Sequence, residues 1–214
     1  MANHVKRAAF LAGAAAAAAS FAPARAAQTQ LGPPTPMGVP TRAFVQHPQL
    51  IRQQCPQWCW AASSAMIFAA YGHPVAQQTI VDRVFNATVC APSGNTSNIG
   101  GVLSDQWTDQ NGLSFRSRVV AAYDSMNGIN AIDNAIIVQE LAANRPLLYC
   151  NTHHAMVVVS CDFLMGPMGP TQVAAVGVLD PWPGSPGYHL LTPPEMVPAH
   201  LGGQMTFLAT VRTT

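Results

Sequence analysis

The chain has 214 residues, a length suited to one well-packed domain rather than two. Charged side chains make up only 9% of it, against about 25% in an ordinary soluble protein. Ten basic and nine acidic residues leave a formal net charge of only +1, far from the basic surplus a phosphate backbone calls for, which argues against nucleic acid as a partner.

The chain opens with targeting features. Lys6 and Arg7 precede an Ala-rich apolar run over residues 8–21, and Ala24-Arg25-Ala26 supplies an A-x-A cleavage signal. This predicts a secretory signal peptide over residues 1–26, too short and too rich in alanine to be a stable membrane anchor. Its removal takes Lys6, Arg7 and Arg25 and no acidic residue. Seven basic and nine acidic side chains then remain, a formal charge of −2, with no lysine among them. The expected destination is the periplasm or the cell exterior. Residues 27–44, with Pro33, Pro34, Pro36 and Pro40, read as an extended, poorly ordered lead-in. The domain is expected to occupy residues 45–214, with a first strand in VQHPQLI, residues 45–51.

The stretch QQCPQWCWAASSAMIFAAYG, residues 53–72, follows. Cys59 lies between Trp58 and Trp60 and opens an apolar run broken only by Ser63 and Ser64. The run ends at Gly72, with Pro74 two residues on. A segment apolar on nearly every side predicts a buried helix, and Gly followed by Pro predicts its end. With Pro56 just upstream, the helix should begin near Trp58 and hold Cys59 in its first turn. There the positive end of the helix dipole favours the thiolate, which is the nucleophilic form.

Residues 77–85 have helical periodicity and residues 86–98 are turn-rich. A short helix is expected within 99–110, a strand over 114–121, and a helix over 132–143 ending at Asn144-Arg145-Pro146. Residues 147–150, 155–163, 172–179 and 204–212 are β-branched or aromatic runs broken by Gly and Pro, a strand signature. MGPMGP at 165–170 fits a connection between two antiparallel strands. Helices first and an antiparallel sheet second make an α+β arrangement.

Gln53, Cys59 and Trp60 resemble the active-site segment of papain-like cysteine peptidases: a Gln, a Cys six residues on, then a Trp opening the central helix. Through WCWAA the segment is most similar to the compact bacterial group that includes avirulence-effector proteases of plant pathogens. The resemblance implies a papain-like fold, with a central N-terminal helix that carries the Cys and packs on an antiparallel sheet or half-barrel. It implies an oxyanion hole made by the Gln53 amide and the Cys59 main-chain N–H. The family's base opens a strand, a position matched by His154 of HAMVVVS. His153 is the alternative, because neighbouring strand residues face opposite ways. Asp180 in DPW resembles the third catalytic position, which fixes the tautomer and orientation of the base. His47, His73, His189 and His200 are read as structural.

The implied activity is hydrolysis of peptide bonds in a protein or peptide substrate through a thioester, without metal or organic cofactor. Two rivals share these residues: another thiol acyl-transfer enzyme (amidase, deamidase or transglutaminase), or a non-catalytic binding module on the same fold. Five cysteines leave one thiol over in an exported protein. The resemblance implies a Cys55–Cys90 disulfide that ties the segment before the nucleophile to a later loop. Cys150 and Cys161 flank an expected hairpin, out of register for a bridge, and either pair weakly or serve as small buried hydrophobes. A zinc site from Cys150, His153, His154 and Cys161 lacks the close ligand pairs such sites use.

Overall fold

The computed structural model describes residues 27–214, and the expected signal segment lies outside them. The described chain is mixed α+β: one extensive antiparallel sheet and five α-helices.

The first helix, α1 (Cys59–Ala70), begins and ends where the sequence predicts. Its residues from Trp60 through Phe68 are all buried, so neighbours cover every side of the helix. Phe68 packs edge-on against Phe115, with ring centroids 5.4 Å apart, and Tyr71 anchors the helix end by donating its hydroxyl to the Val211 carbonyl. The helix stops at Gly72, whose positive φ of 82° glycine adopts without strain. The helix α2 (Gln77–Phe85) and the later α4 (Asn134–Ala142) stop at asparagines in the same left-handed region, Asn86 at φ 52° and Asn144 at φ 61°. Asp133 caps the start of α4 by accepting the Ile136 N–H at 2.8 Å.

Between α2 and α4 the structure departs from the periodicity. The expected helix within 99–110 begins three residues earlier, as α3 (Thr96–Val102), because Asn95 accepts the Asn98 N–H and fixes the start. The chain then turns into strand β3 (Gln106–Thr108), with Trp107 buried and its indole N–H bound to the Val102 carbonyl. The strand expected at 114–121 extends further, as β4 (Ser114–Asp124), and is followed by β5 (Ile129–Asn130).

The N-terminal part is also corrected. Residues 45–51 hold no strand, since His47 takes a positive φ and Pro48 follows it. The segment read as an unstructured lead-in instead supplies β1 (Gln28–Gln30) and β2 (Val39–Phe44). Local composition lost here to long-range pairing: β2 lies on strand β7 (Ala155–Gly166), and Arg42 grips Asp162 of that strand through two hydrogen bonds.

β7 is the spine of the sheet. One edge pairs in its first half with β6 (Leu147–Cys150) and in its second half with β2, while the other edge pairs with β8 (Gly169–Leu179). The connection at 165–170 is thus the antiparallel hairpin turn the sequence predicts. Beyond β6 come β10 (Phe207–Thr213), β4 and β3, and β9 (Tyr188–Leu190) pairs with β8. A short helix, α5 (Pro193–Met196), and a 3-10 turn (Ala199–Leu201) link β9 to β10. α1 packs on β6 and β7, which sets its first turn beside the ends of those strands. Among the described residues no helix is long and apolar enough to cross a membrane.

Candidate active site

Cys59 is the first residue of α1, half-buried, at the mouth of a cleft of about 280 Å³ whose walls include Ile99, Met126, Asn151 and Thr206. A helix leaves its first N–H groups without intrahelical partners, and these point toward the thiol. Burial alone would raise the Cys59 pKa. It is nevertheless lowered, because the His154 side chain hydrogen-bonds the sulfur, the backbones of Ala155 and Trp60 add to this, and imidazole charge attracts the thiolate.

His154 immediately precedes β7, where β6 and β7 meet. Its Nε2 lies 2.6 Å from Asp180 Oδ1, which leaves Nδ1 for the thiol. Burial opposes protonation of this ring, but the hydrogen bonds to Asp180 and Cys59 outweigh it and raise its pKa to about 9. The neighbouring His153 is exposed, so of the two histidines it is His154 that joins the cluster.

Asp180 directly follows β8. Burial would raise its pKa, yet it is lowered by His154, by the Trp182 N–H donated to Oδ1 at 2.8 Å, and by His189. His189 Nδ1 stands 4.0 Å from Asp180 Oδ2, although in sequence it reads as a structural histidine. Cys59, His154 and Asp180, three segments far apart in sequence, thus form one continuous chain of contacts.

Gln53 sits differently. It is buried, and its side-chain nitrogen donates to the carbonyls of Cys55 at 3.0 Å and Pro56 at 2.9 Å. The opposite amide orientation would set Oε1 against both carbonyls. Both Nε2 hydrogens are therefore committed, and Gln53 brackets the turn before α1. To serve as an oxyanion donor it must release one of them. Its Oε1 is buried without a hydrogen-bond partner, a state that costs about 1–3 kcal/mol.

The structure also shows residues that sequence reasoning missed. The Arg52 guanidinium donates to the carbonyls of Asp180, Trp182 and Ser185 and to the Ser185 hydroxyl, tying down the loop after Asp180. The buried Gln77 in turn fixes the Arg52 backbone, donating to its carbonyl at 2.8 Å while accepting the Gln54 N–H. The only signal for either was adjacency: Arg52 precedes the Gln53 motif, and Gln77 is a polar residue at the start of an amphipathic helix.

The opposite wall is tied at three points to α1 and the segment that leads into it. Cys55 and Cys90 form a disulfide, with Cα atoms 5.9 Å apart. On either side of Cys90, the Trp58 indole donates to the Val89 carbonyl at 2.8 Å and the Trp60 indole to the Ala91 carbonyl at 3.2 Å. The two tryptophans thus brace the loop that walls the cleft. Cys150 and Cys161 are free, buried thiols, and burial pushes both pKa values up, so neither competes as a nucleophile. A larger apolar cavity of about 420 Å³ beside α4 and α5 contains none of Gln53, Cys59, His154 or Asp180. The paired titratable groups, not cavity size, mark the site.

In comparisons with known proteins, the chain matches no protein-family model and no curated relative.

Proposed function

We propose that the protein is an exported cysteine peptidase of papain-like design. The observation that carries this reading is the relay in which Asp180 Oδ1 holds His154 Nε2 at 2.6 Å while the other face of the imidazole engages the Cys59 thiol. A lowered thiol pKa beside a raised imidazole pKa favours a thiolate–imidazolium pair, the form that attacks carbonyls.

In the proposed reaction the Cys59 sulfur adds to the scissile carbonyl carbon, and the carbonyl oxygen takes the negative charge. N–H groups at the start of α1 stabilise that oxyanion, joined by Gln53 once one of its bracing bonds is released. Collapse breaks the C–N bond as His154 gives its proton to the departing amine. Water, losing a proton to His154, then attacks the thioester and frees the acid and the thiolate. Asp180 keeps the imidazole in its productive tautomer and orientation throughout. The Cys55–Cys90 disulfide supports export to an oxidising compartment.

The test is to incubate residues 27–214 with a peptide library and map products by mass spectrometry. New amino termini, lost in both Cys59→Ala and His154→Ala, are the expected outcome. Ammonia release or cross-linked product without chain cleavage would replace the peptidase reading with another acyl transfer.

A further inference from the structure

The turn that delivers His154 is built around Asn151. The Asn151 main-chain N–H donates to the His154 carbonyl at 3.0 Å, and Asn151 Oδ1 accepts the N–H groups of His153 at 2.9 Å and His154 at 2.7 Å. One side-chain oxygen thereby closes the tight turn between β6 and β7. Thr206 holds the same residue from β10's approach, its hydroxyl donating to the Asn151 carbonyl at 3.0 Å.

The other end of the Asn151 amide leaves the turn. Its Nδ2 donates at 3.1 Å to Glu195 Oε1, on α5. The second Glu195 oxygen accepts the Thr192 N–H at 2.8 Å and the Thr192 hydroxyl at 2.7 Å, closing that helix's capping box. The Glu195 carbonyl accepts the Tyr149 hydroxyl from β6 at 2.9 Å. Glu195 is thus held from three directions, and it holds the one side chain that sets the backbone of the base. Against a carboxylate, residue 151 must offer a donor on one side and an acceptor on the other, which an amide does and an aspartate does not.

We propose that Asn151 and Glu195 are positioning residues for the catalytic base, a latch between α5 and the His154 turn that keeps the imidazole on the Cys59 sulfur. Resting on the peptidase reading, the latch adds to it a requirement at Glu195 on α5, which does not line the cleft.

The experiment reads the rate of Cys59 alkylation by iodoacetamide from pH 4 to 10, which needs no known substrate. Wild type is compared with His154→Ala, Asn151→Asp, Glu195→Gln and the double variant Asn151→Asp/Glu195→Gln. Asn151→Asp keeps the acceptor for both turn N–H groups but sets two carboxylates together. Alkylation at pH 6 is expected to fall about tenfold, with the acid limb moving toward that of an ordinary thiol. The double variant reverses donor and acceptor, since a glutamine at 195 still caps through its oxygen and can donate to the new carboxylate. It is expected to restore the wild-type profile. An unchanged profile in folded Asn151→Asp, or a loss that the double variant does not repair, overturns the latch. A wild-type Cys59 that alkylates like an ordinary thiol, indifferent to His154→Ala, overturns the catalytic reading and the latch with it.

Discussion

Arg52 donates its guanidinium to the main-chain carbonyl of Asp180 at 3.2 Å, across 128 residues of sequence. The contact ties the segment before the nucleophile to the segment that carries the orienting carboxylate, and the neighbouring Gln53 N–H repeats the tie at the Pro181 carbonyl.

Because Arg52 serves four acceptors from one planar fork, lysine cannot replace it. Arg52→Lys and Arg52→Ala are both expected to lower kcat/KM by about 10–100-fold through loss of Asp180 placement. Steady-state kinetics on the best library peptide measures this. Wild-type activity in Arg52→Lys would mean that a point charge suffices.

The pH profile follows from the two shifted groups. The active pair exists above the lowered pKa of Cys59 and below that of His154, near 9. Activity should fall as pH drops through the thiol's pKa and again as pH rises through about 9. Asp180→Asn removes the carboxylate whose hydrogen bond does most to support the imidazolium, so the alkaline limb should move to lower pH. A limb that stays in place would assign it to another group.

Loss of the Cys55–Cys90 bridge frees a loop with a sequence separation of 35 residues. Chain-entropy arguments put the cost at about 2–4 kcal/mol. Urea unfolding of Cys55→Ser/Cys90→Ser measures the cost. Since the bridged loop walls the cleft, KM should rise more than kcat falls.

Gln53→Ala removes the amide without touching the thiol–imidazole contact. The expected result is a fall in kcat of about 10²-fold, with Cys59 alkylation at pH 6 unchanged. If alkylation fell in parallel, Gln53 would be only a brace for the turn at Cys55 and Pro56.

In the interior, Phe68→Ala empties a fully buried site in the last turn of α1. A destabilisation of about 3–5 kcal/mol is expected by thermal or chemical unfolding.

What the sequence made legible was whatever local patterning controls. α1 could be read because a helix covered on every side is apolar nearly all round, and α4 because its periodicity and its stop at Asn144 are written as residue types, whereas its start, expected at 132, is set two residues later by the Asp133 cap. The hairpin of β7 and β8 followed from β-branched runs around a Gly/Pro turn. Cys59 stood out at the start of α1, whereas His154 and Asp180 were picked out by their resemblance to positions of papain-like peptidases. The places of β1 and β2 were not, since a proline-rich strand is stabilised by partners more than 100 residues away, including Asp162 for Arg42. Nor could spacing reveal that the Gln53 amide is already occupied, that Arg52 binds the loop after Asp180, or that Asn151 meets Glu195, because these contacts join segments brought together only by the fold.

β7 has a temporal consequence for the cell that makes this chain. Its edges are completed by residues 39–44, 147–150 and 169–179, so the strand behind the imidazole is in place only after most of the polypeptide has been assembled. The pairings with 147–150 and 169–179 are local hairpins, but the one with 39–44 spans more than 100 residues, and closing so long a loop is slow. Before His154 reaches it, the Cys59 thiol lacks the contact that lowers its pKa. On the proposed reading, reactivity would therefore arrive only with the finished fold.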